Sequence, residues 1–272
     1  MKRVIRYAAV VLAMLTGAVL LGLGRRQARA QAEHRQQLAE DNLTLPSQSQ
    51  HLMRLADTLS RAQRDTLFRR YDLSRLFQTF PKSEQNGFFG PHEQRMEVVF
   101  TRLRRDSSAP GLFHVVGLMR VASTISLLKG TIELRQTRKF SAAADGVYIA
   151  TGPFHLQQFT GNEQLLARLD GVMALDFAVG HGKFHLFSEE GAIRPRTRQF
   201  AFEGKWTDAR SGKKQRVLWA NEFAPVANAV LGDFDIGGRM ATVNPTYRHY
   251  GWAEYFENDE WWANSPKPKL SL

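Results

Sequence analysis

The first thirty residues differ in pattern from the rest of the chain. A basic start precedes an uncharged run, residues 8–24, made mostly of Ala, Val, Leu and Gly. This order is typical of a secretory signal peptide or a signal anchor. The seventeen residues of the run fall between a signal core and the roughly twenty that cross a bilayer. An A-x-A cleavage pattern ends at Ala30. We expect export across a bacterial-type inner membrane, with cleavage there or with residues 8–24 kept as a membrane tether.

The next segment, residues 31–86, is polar at first and then follows a helical period. Its first part, up to about residue 50, predicts a loose stalk. Between residues 50 and 80, apolar side chains recur near helical spacing, among them Leu52, Leu55, Leu59, Leu67 and Phe68. This spacing predicts an amphipathic helical arm. The arm would pack on the following domain as a lid, or alternatively lie on a membrane surface or bind a partner.

Beyond Gly87 the apolar period changes to two, with Gly, Pro, Asn, Asp or Ser between the segments, which predicts strands. Many short strands without long helices between them favour an antiparallel barrel or sandwich. We therefore predict a mainly β domain over residues 87–262, with a helical turn at 164–169 and a flexible tail at 263–272. The eight predicted strands are residues 95–104, 112–121, 124–137, 147–151, 172–179, 183–187, 199–206 and 215–221.

Composition narrows the choice of function. The chain has no cysteine, which excludes disulfides, thiolate metal sites, cysteine nucleophiles and a lipidated N-terminal cysteine. The net charge of +11 suggests a nucleic-acid partner, but six of the 37 basic residues lie in the first thirty positions, which hold no acid. The remaining 31 basic and 26 acidic residues leave +5, an ordinary solubility charge. Nucleic acid is therefore not an expected partner.

One hairpin stands out near the end of the predicted domain. Trp206 and Trp219 flank a turn at Ser211-Gly212, and the alternation on either side predicts a two-stranded ribbon. We expect both tryptophans to lie at matching depths as buried packing residues. Gly204, two positions before Trp206, is expected to be structural as well.

The C-terminal part of the domain holds the main candidates for ligand or acid chemistry. Asp233 and Asp235 would share one side of an extended segment, as a calcium loop or an acid pair requires. A turn stabilised by their side chains is the favoured interpretation. Seven aromatic residues lie between positions 247 and 262, including Tyr250 and Trp252, and they need burial or a ligand.

Histidines do not form a predicted metal site. His181 and His185 would be separated by about 13 Å on a strand, too far to share one ion. His114 and His155 lie on or beside other strands, and surface positions are the favoured interpretation for all four. The sequence contains neither a G-x-S-x-G elbow nor a nucleotide-binding strand-glycine-helix unit. We therefore expect no metal and no cofactor.

Two resemblances add to this pattern. Gly204-Lys205-Trp206 is similar to the G-x-W with which lipocalin-like barrels close one end, although in those families it lies near the first strand. A longer set of motifs over residues 87–256 resembles a family of bacterial secreted β-rich proteins with no known activity. The resemblance implies a domain that begins near Gly87 and implies no chemistry. The motifs are Gly87-Phe88-Phe89-Gly90, residues 95–100, Gly130-Thr131-Ile132, Gly204-x-Trp206, Gly212-Lys213, Trp219, Phe234-Asp235-Ile236-Gly237 and Tyr250-Gly251-Trp252.

The leading hypothesis from sequence is an exported, non-catalytic β barrel or sandwich that binds a small molecule, a glycan or a protein, or has a structural role. A membrane would be a further partner through the N-terminal segment if it is not cleaved. One alternative is a secreted hydrolase that acts on glycans with an acidic pair drawn from Asp233, Asp235 or Glu222. The other is a polyanion-binding surface built from the basic runs at 102–105, 194–198 and 213–216.

Overall fold

The structure is a computed structural model, and it describes residues 56–78, 84–140, 146–186, 199–223, 227, 230, 243–257 and 260–264. All of them belong to one folded unit. The signal segment, the stalk up to residue 55, the Asp233 and Asp235 pair and the tail beyond residue 264 lie outside the described residues.

Eleven strands and two α-helices are present in the described part of the chain. Alternation along each strand puts apolar side chains inward and polar ones outward: on β4, for example, Phe113 and Val115 are buried and His114 between them is exposed. The strands are β1 (Ala56–Thr58), β2 (Gln85–Phe89), β3 (Gln94–Arg105), β4 (Leu112–Val121), β5 (Thr124–Glu133), β6 (Gln136–Phe140), β7 (Gly146–Phe159), β8 (Leu165–Gly180), β9 (Lys183–Leu186), β10 (Phe200–Asp208) and β11 (Lys214–Ala220).

Eight of these strands close into an antiparallel barrel. The order around the ring is β2-β3-β4-β5-β7-β8-β10-β11, and β11 pairs with β2 to complete it. The mainly β prediction is confirmed, and of its two architectures the structure has the barrel. The barrel strands are not the eight that the alternation singled out, because β2 belongs to the ring and β9 does not.

The remaining strands extend the sheet beyond the barrel. The first half of β7 pairs with β6 and its second half pairs with β5, so the segment predicted as a single strand over residues 124–137 breaks between Glu133 and Gln136. There the Arg135 N–H donates to the Thr151 carbonyl at 2.8 Å. Strand β1 adds to β6, and β9 adds to the end of β8.

The helical turn predicted for residues 164–169 is wrong. Strand β8 begins at Leu165, and its side chains alternate, with Ala167 and Leu169 buried and Arg168 exposed. It pairs with β7 on one side and β10 on the other. Ladder hydrogen bonds to two neighbours outweigh the local helical preference of this leucine-rich stretch.

A short helical arm plugs one end of the barrel. It consists of α1 (Arg61–Arg70), which a capping box of Ser60 and Gln63 starts, and a 3-10 helix (Leu73–Gln78). Buried side chains of the arm join the barrel core, among them Phe68 and Phe77. The sequence boundary near Gly87 therefore marks a change of secondary structure and not the edge of the core.

A C-terminal belt, defined as residues 243–257 and 260–264, covers the outside of the barrel. It contains a 3-10 helix (Pro245–Tyr250) and α2 (Trp261–Asn264). Trp252 packs against the outer faces of β2, β10 and β11, together with Phe88, Ala201 and Leu218. Trp261 packs on the outer faces of β3, β4 and β5. The aromatic segment is thus largely used for packing.

Candidate functional site

The interior of the barrel is filled by the protein's own side chains. Phe154, Phe202 and Trp219 are fully buried there and contact one another through their rings. The Trp219 indole stacks on Phe202 with ring centroids 4.6 Å apart. Small barrels use their interior in this way, as a packed core and not as a ligand chamber. A ligand-filled lumen therefore has no support from the described packing.

Both ends of the barrel are closed. At one end, Phe77 of the arm contacts Phe113 and Phe200, with ring centroids 6.1 and 5.1 Å apart. At the other end, the Trp206 indole N–H donates to Gln158 Oε1 at 2.6 Å, and Gln158 Nε2 donates to the Ser126 hydroxyl at 2.8 Å. Trp206 thus lies at a barrel end.

The two hairpin tryptophans do not lie at matching depths. Trp206 is opposite Gln215, and Trp219 is opposite Phe202, so the two side chains are four rows apart along the ribbon, or about 13 Å. The prediction of equal depth is wrong because the two tryptophans are not equidistant from the turn. Trp219 is fully buried and Trp206 is half-buried.

The predicted ligand residues of the aromatic segment have different roles. Trp252 is fully buried, stacks on Phe223, and donates its indole N–H to the Glu93 carbonyl at 2.7 Å. Tyr250 is half-buried and stacks on His92 with ring centroids 5.6 Å apart. Of the two, Tyr250 lines a cleft.

That cleft, the belt cleft, encloses about 500 Å³ between the belt and the outer faces of β3 and β4. Its floor is a buried ion network. Glu97 accepts from Arg95 Nη2 at 2.9 Å and from Arg120 Nη2 at 2.8 Å. Arg95 also donates to Asn86 Oδ1 at 2.9 Å and to the Glu254 carbonyl at 3.0 Å. Arg95 therefore links β2 and β3 to the belt, which it reaches through the Glu254 carbonyl.

The network also affects nearby ionisable groups. Burial raises the pKa of Glu84, which lies 3.7 Å from Arg95, and repulsion from Glu97 adds to the effect. Burial also raises the pKa of Tyr255, although the positive charge of Arg95 acts to lower it. This network is not predicted from the sequence. Its signal was the pair of charges at Arg95 and Glu97, two positions apart on an otherwise apolar strand.

A second cleft, the arm cleft, encloses about 540 Å³ between the arm and the turn that joins β3 to β4. Basic, acidic and hydroxyl side chains line it, including Arg69, Arg104, Arg105, Asp72, Asp106 and Ser107. The Arg105 guanidinium donates to the Phe68 carbonyl at 2.6 Å and so caps the end of α1. The basic run at 102–105 was noticed in the sequence, whereas its approach to Arg69 depends on the docking of the arm.

Two histidines pair with carboxylates on the outer surface. His114 Nε2 lies 2.9 Å from Asp106 Oδ2, and His155 Nδ1 lies 2.7 Å from Asp170 Oδ1. A Ser-His-acid triad needs the serine on the histidine, but Ser108 donates its hydroxyl to Asp106 instead. Hydrogen bonds from His114 and Ser108 hold the pKa of Asp106 well below its usual range. Both are exposed hydrogen-bonded pairs on the barrel surface.

Neither a metal cluster nor a spanning helix occurs in the described part of the chain. No group of three or more His, Cys, Asp or Glu side chains is close enough there to hold an ion. No helix among the same residues has the length and apolar character to cross a membrane.

Comparisons with family models, curated proteins and solved structures gave no significant match to this chain. The function of the barrel is therefore inferred from its geometry and from the two clefts described above.

Proposed function

We propose that this chain is an exported envelope protein whose closed barrel is a non-catalytic binding or structural module that acts through its outer surface. The observation that carries the proposal is the packing of the barrel interior around Phe202 and Trp219. A binding site for a drug-sized ligand is normally a concave pocket of several hundred cubic ångströms. In this protein the two described clefts of that size lie outside the barrel.

Export is supported by the first thirty residues. Their basic start, uncharged run and A-x-A pattern at Ala30 have the order of a secretory signal. The lack of cysteine in all 272 residues fits either side of the membrane, since a large core needs no disulfides. The run at residues 8–24 supports a tether to the inner membrane as the form in which the barrel is held at the envelope.

A binding role is better supported than a catalytic one. Trp252, one of the candidates for stacking on a sugar, is instead a packing residue of the belt. The described His-Asp pairs lack an aligned nucleophile. Of the acids in the hydrolase alternative, Asp233 and Asp235 lie outside the described residues and Glu222 is exposed. No described contact favours this alternative.

The export part of the proposal can be tested directly. The first 35 residues are fused to a reporter that is active only outside the cytoplasm, and a matched fusion replaces two leucines of the 8–24 run, Leu20 and Leu21, by Arg. We expect activity from the first fusion and its loss in the second. A cytoplasmic reporter in the first fusion would overturn the export proposal. Membrane retention of the full chain, measured by fractionation, would show that residues 8–24 remain as a tether.

A further inference from the structure

The arm cleft differs from the belt cleft in how its arginines are engaged. In the belt cleft, the charge of Glu97 is shared between Arg95 and Arg120. In the arm cleft, Arg69 and Arg104 are exposed, and the guanidinium group of neither has a hydrogen-bond or ion-pair partner among the described residues. Two cationic groups in one concave site, without a protein counter-charge bound to either, are a suitable arrangement for an anion.

The carboxylates of the arm cleft are held in local turns. Asp106 accepts from the Ser108 and Ala109 N–H groups at 2.8 and 3.0 Å and pairs with His114. Asp72 accepts from the Ser74 N–H at 3.2 Å. These contacts direct both carboxylates towards the backbone, so they do not neutralise the two free guanidinium groups by direct contact.

The surroundings add further positive charge. Arg102 precedes Arg104 by two positions on the same outer face of β3 and is exposed. Arg105 donates to the carbonyls of Phe68 and Arg69, and neither of these partners carries a negative charge. Three arginines, Arg69, Arg104 and Arg105, therefore line the cleft with the exposed Ser107, and Arg102 follows the same face of β3.

We infer that the arm cleft and its rim are a docking site for the phosphate groups of an anionic phospholipid surface. Arginine binds phosphate through paired N–H donors, and basic groups near an anionic leaflet gain affinity from its surface potential. The inference rests on the proposed function, because a barrel held at the envelope has such a surface beside it.

The position of the arm in the chain favours a membrane over a soluble anion. From the end of the uncharged run at Gly24 to the first described residue, Ala56, the chain has 31 residues, positions 25–55. Even fully extended, such a segment reaches about 100 Å. If residues 8–24 stay in the bilayer, this segment limits how far the arm can move from the lipid headgroups. The local concentration of lipid phosphate at the cleft is then high, so that even a weak site binds.

The absence of cysteine allows a site-specific test on the full chain. Ser107→Cys places one fluorescent label at the rim of the cleft, and Ala209→Cys places one at the turn between β10 and β11, at the opposite end of the barrel. Each labelled protein is reconstituted in lipid nanodiscs of phosphatidylcholine with increasing phosphatidylglycerol. Quenching by a lipid-borne quencher then reports which end of the barrel meets the membrane.

The expected result is quenching at position 107 that rises with phosphatidylglycerol, with little change at position 209. Arg69→Gln with Arg104→Gln should raise the phosphatidylglycerol fraction needed for half-maximal quenching by roughly tenfold, or abolish quenching. The Arg69→Lys and Arg104→Lys pair should retain much of it. The matched control, Lys213→Gln with Lys214→Gln, removes the same charge from exposed positions at the other end and should behave like the parent.

Three results would overturn the inference. Equal losses in the Arg69/Arg104 and Lys213/Lys214 pairs would mean a response to net charge alone. Quenching that does not depend on phosphatidylglycerol would mean that the tether, and not the cleft, brings the barrel to the lipid. Binding of glycerol phosphate to the soluble barrel, with no quenching at position 107 at any phosphatidylglycerol fraction, would assign the cleft to a soluble phosphate compound. The nanodisc result does not depend on the reporter fusion, so failure of the export proposal and failure of this inference are distinguishable.

Discussion

Gly204 of β10 lies directly opposite Gly171 of β8, and neither position has room for a side chain. A Cβ on Gly204 would lie 2.2 Å from the Asp170 carbonyl oxygen and 2.8 Å from the Gly171 Cα. The obstructing atoms belong to the backbone of the adjacent strand. The two strands therefore approach so closely here that a residue larger than glycine at either position requires the backbone to shift.

Gly204→Ala should destabilise the protein by about 1–3 kcal/mol, because the added methyl must push two strands apart. Urea unfolding monitored by tryptophan fluorescence measures the change in free energy. Gly161→Ala is the matched control, since nothing lies within 4 Å of the Cβ position there, and its effect should be within about 0.5 kcal/mol. Equal midpoints for the two variants would contradict the close approach at Gly204.

Trp219→Ala should cost more stability than Trp206→Ala. Trp219 is fully buried and stacked on Phe202, so its removal should cost about 3–5 kcal/mol. Trp206 is half-buried and closes a barrel end, where water can fill part of the space. Thermal unfolding of the two variants compares them. A larger loss of stability for Trp206→Ala would contradict the unequal depths. Unfolding midpoints equal to the parent's in both variants would show that neither tryptophan is a core residue.

A chain that begins at Gln85 should fail to fold cooperatively. Such a chain lacks Phe68, Leu73, Leu76 and Phe77, all buried in the barrel core, and would open the end that Phe77 closes. A chain that begins at Gln31 retains the arm and is the control. Calorimetry and near-ultraviolet circular dichroism of both chains make the comparison. Cooperative unfolding of the shorter chain would show that the arm is dispensable.

The sequence alone predicted the class of fold because the inward and outward positions of most strands differ in polarity. On β4 the observed limits, Leu112–Val121, are those that the alternation indicated. Prediction from alternation failed where contacts between segments distant in the sequence determine the structure. Strand β2 was missed because Gly87 interrupts its alternation, and that glycine is required by the approach of Trp219, whose Cβ would lie 2.5 Å from an added methyl.

The candidate sites were less predictable than the fold. Tyr250 was singled out and does line a cleft, whereas Trp252 proved to be a packing residue because β2 presents Phe88 to it. The belt network and the arm cleft each join segments that are distant in the sequence, such as Arg69 with Arg104. The local pattern of apolar and polar residues does not predict such an approach, because it depends on how the arm packs on the barrel.

Arg95→Ala should loosen the belt and cost about 3–5 kcal/mol, because it leaves the buried carboxylate of Glu97 with one partner fewer and removes the donor to the Glu254 carbonyl. Arg216→Ala is the control. Its partner Glu203 forms an ion pair in which Arg216 is 72% exposed, and such pairs contribute about 0–1 kcal/mol. Urea unfolding gives both values, and limited proteolysis should cut the belt first in the Arg95 variant. Similar losses of unfolding free energy in the two variants would contradict the role of Arg95 in holding the belt.

Glu84 gives the protein a pH dependence whose sign follows from its raised pKa. Burial, which is the largest cause, disfavours the charged form in the folded state. The folded protein therefore binds this proton more tightly than the unfolded chain, and the stability falls as the pH rises above the ordinary value of 4.5. Below that value Glu84 is protonated in both the folded and the unfolded state, so its burial no longer costs the free energy of desolvating a charge.

Glu84→Gln should accordingly gain stability over the parent as the pH rises from about 4 to 7. Glutamine keeps the shape of the side chain and carries no charge to be desolvated, so the difference between variant and parent should be small in acid and should grow towards neutral pH. Urea unfolding at several pH values measures that difference. Glu257→Gln, at an exposed carboxylate of the belt, provides the control. A gain that is the same at every pH would assign the effect to packing, and a loss at neutral pH would mean that the contact with Arg95 outweighs the burial of Glu84.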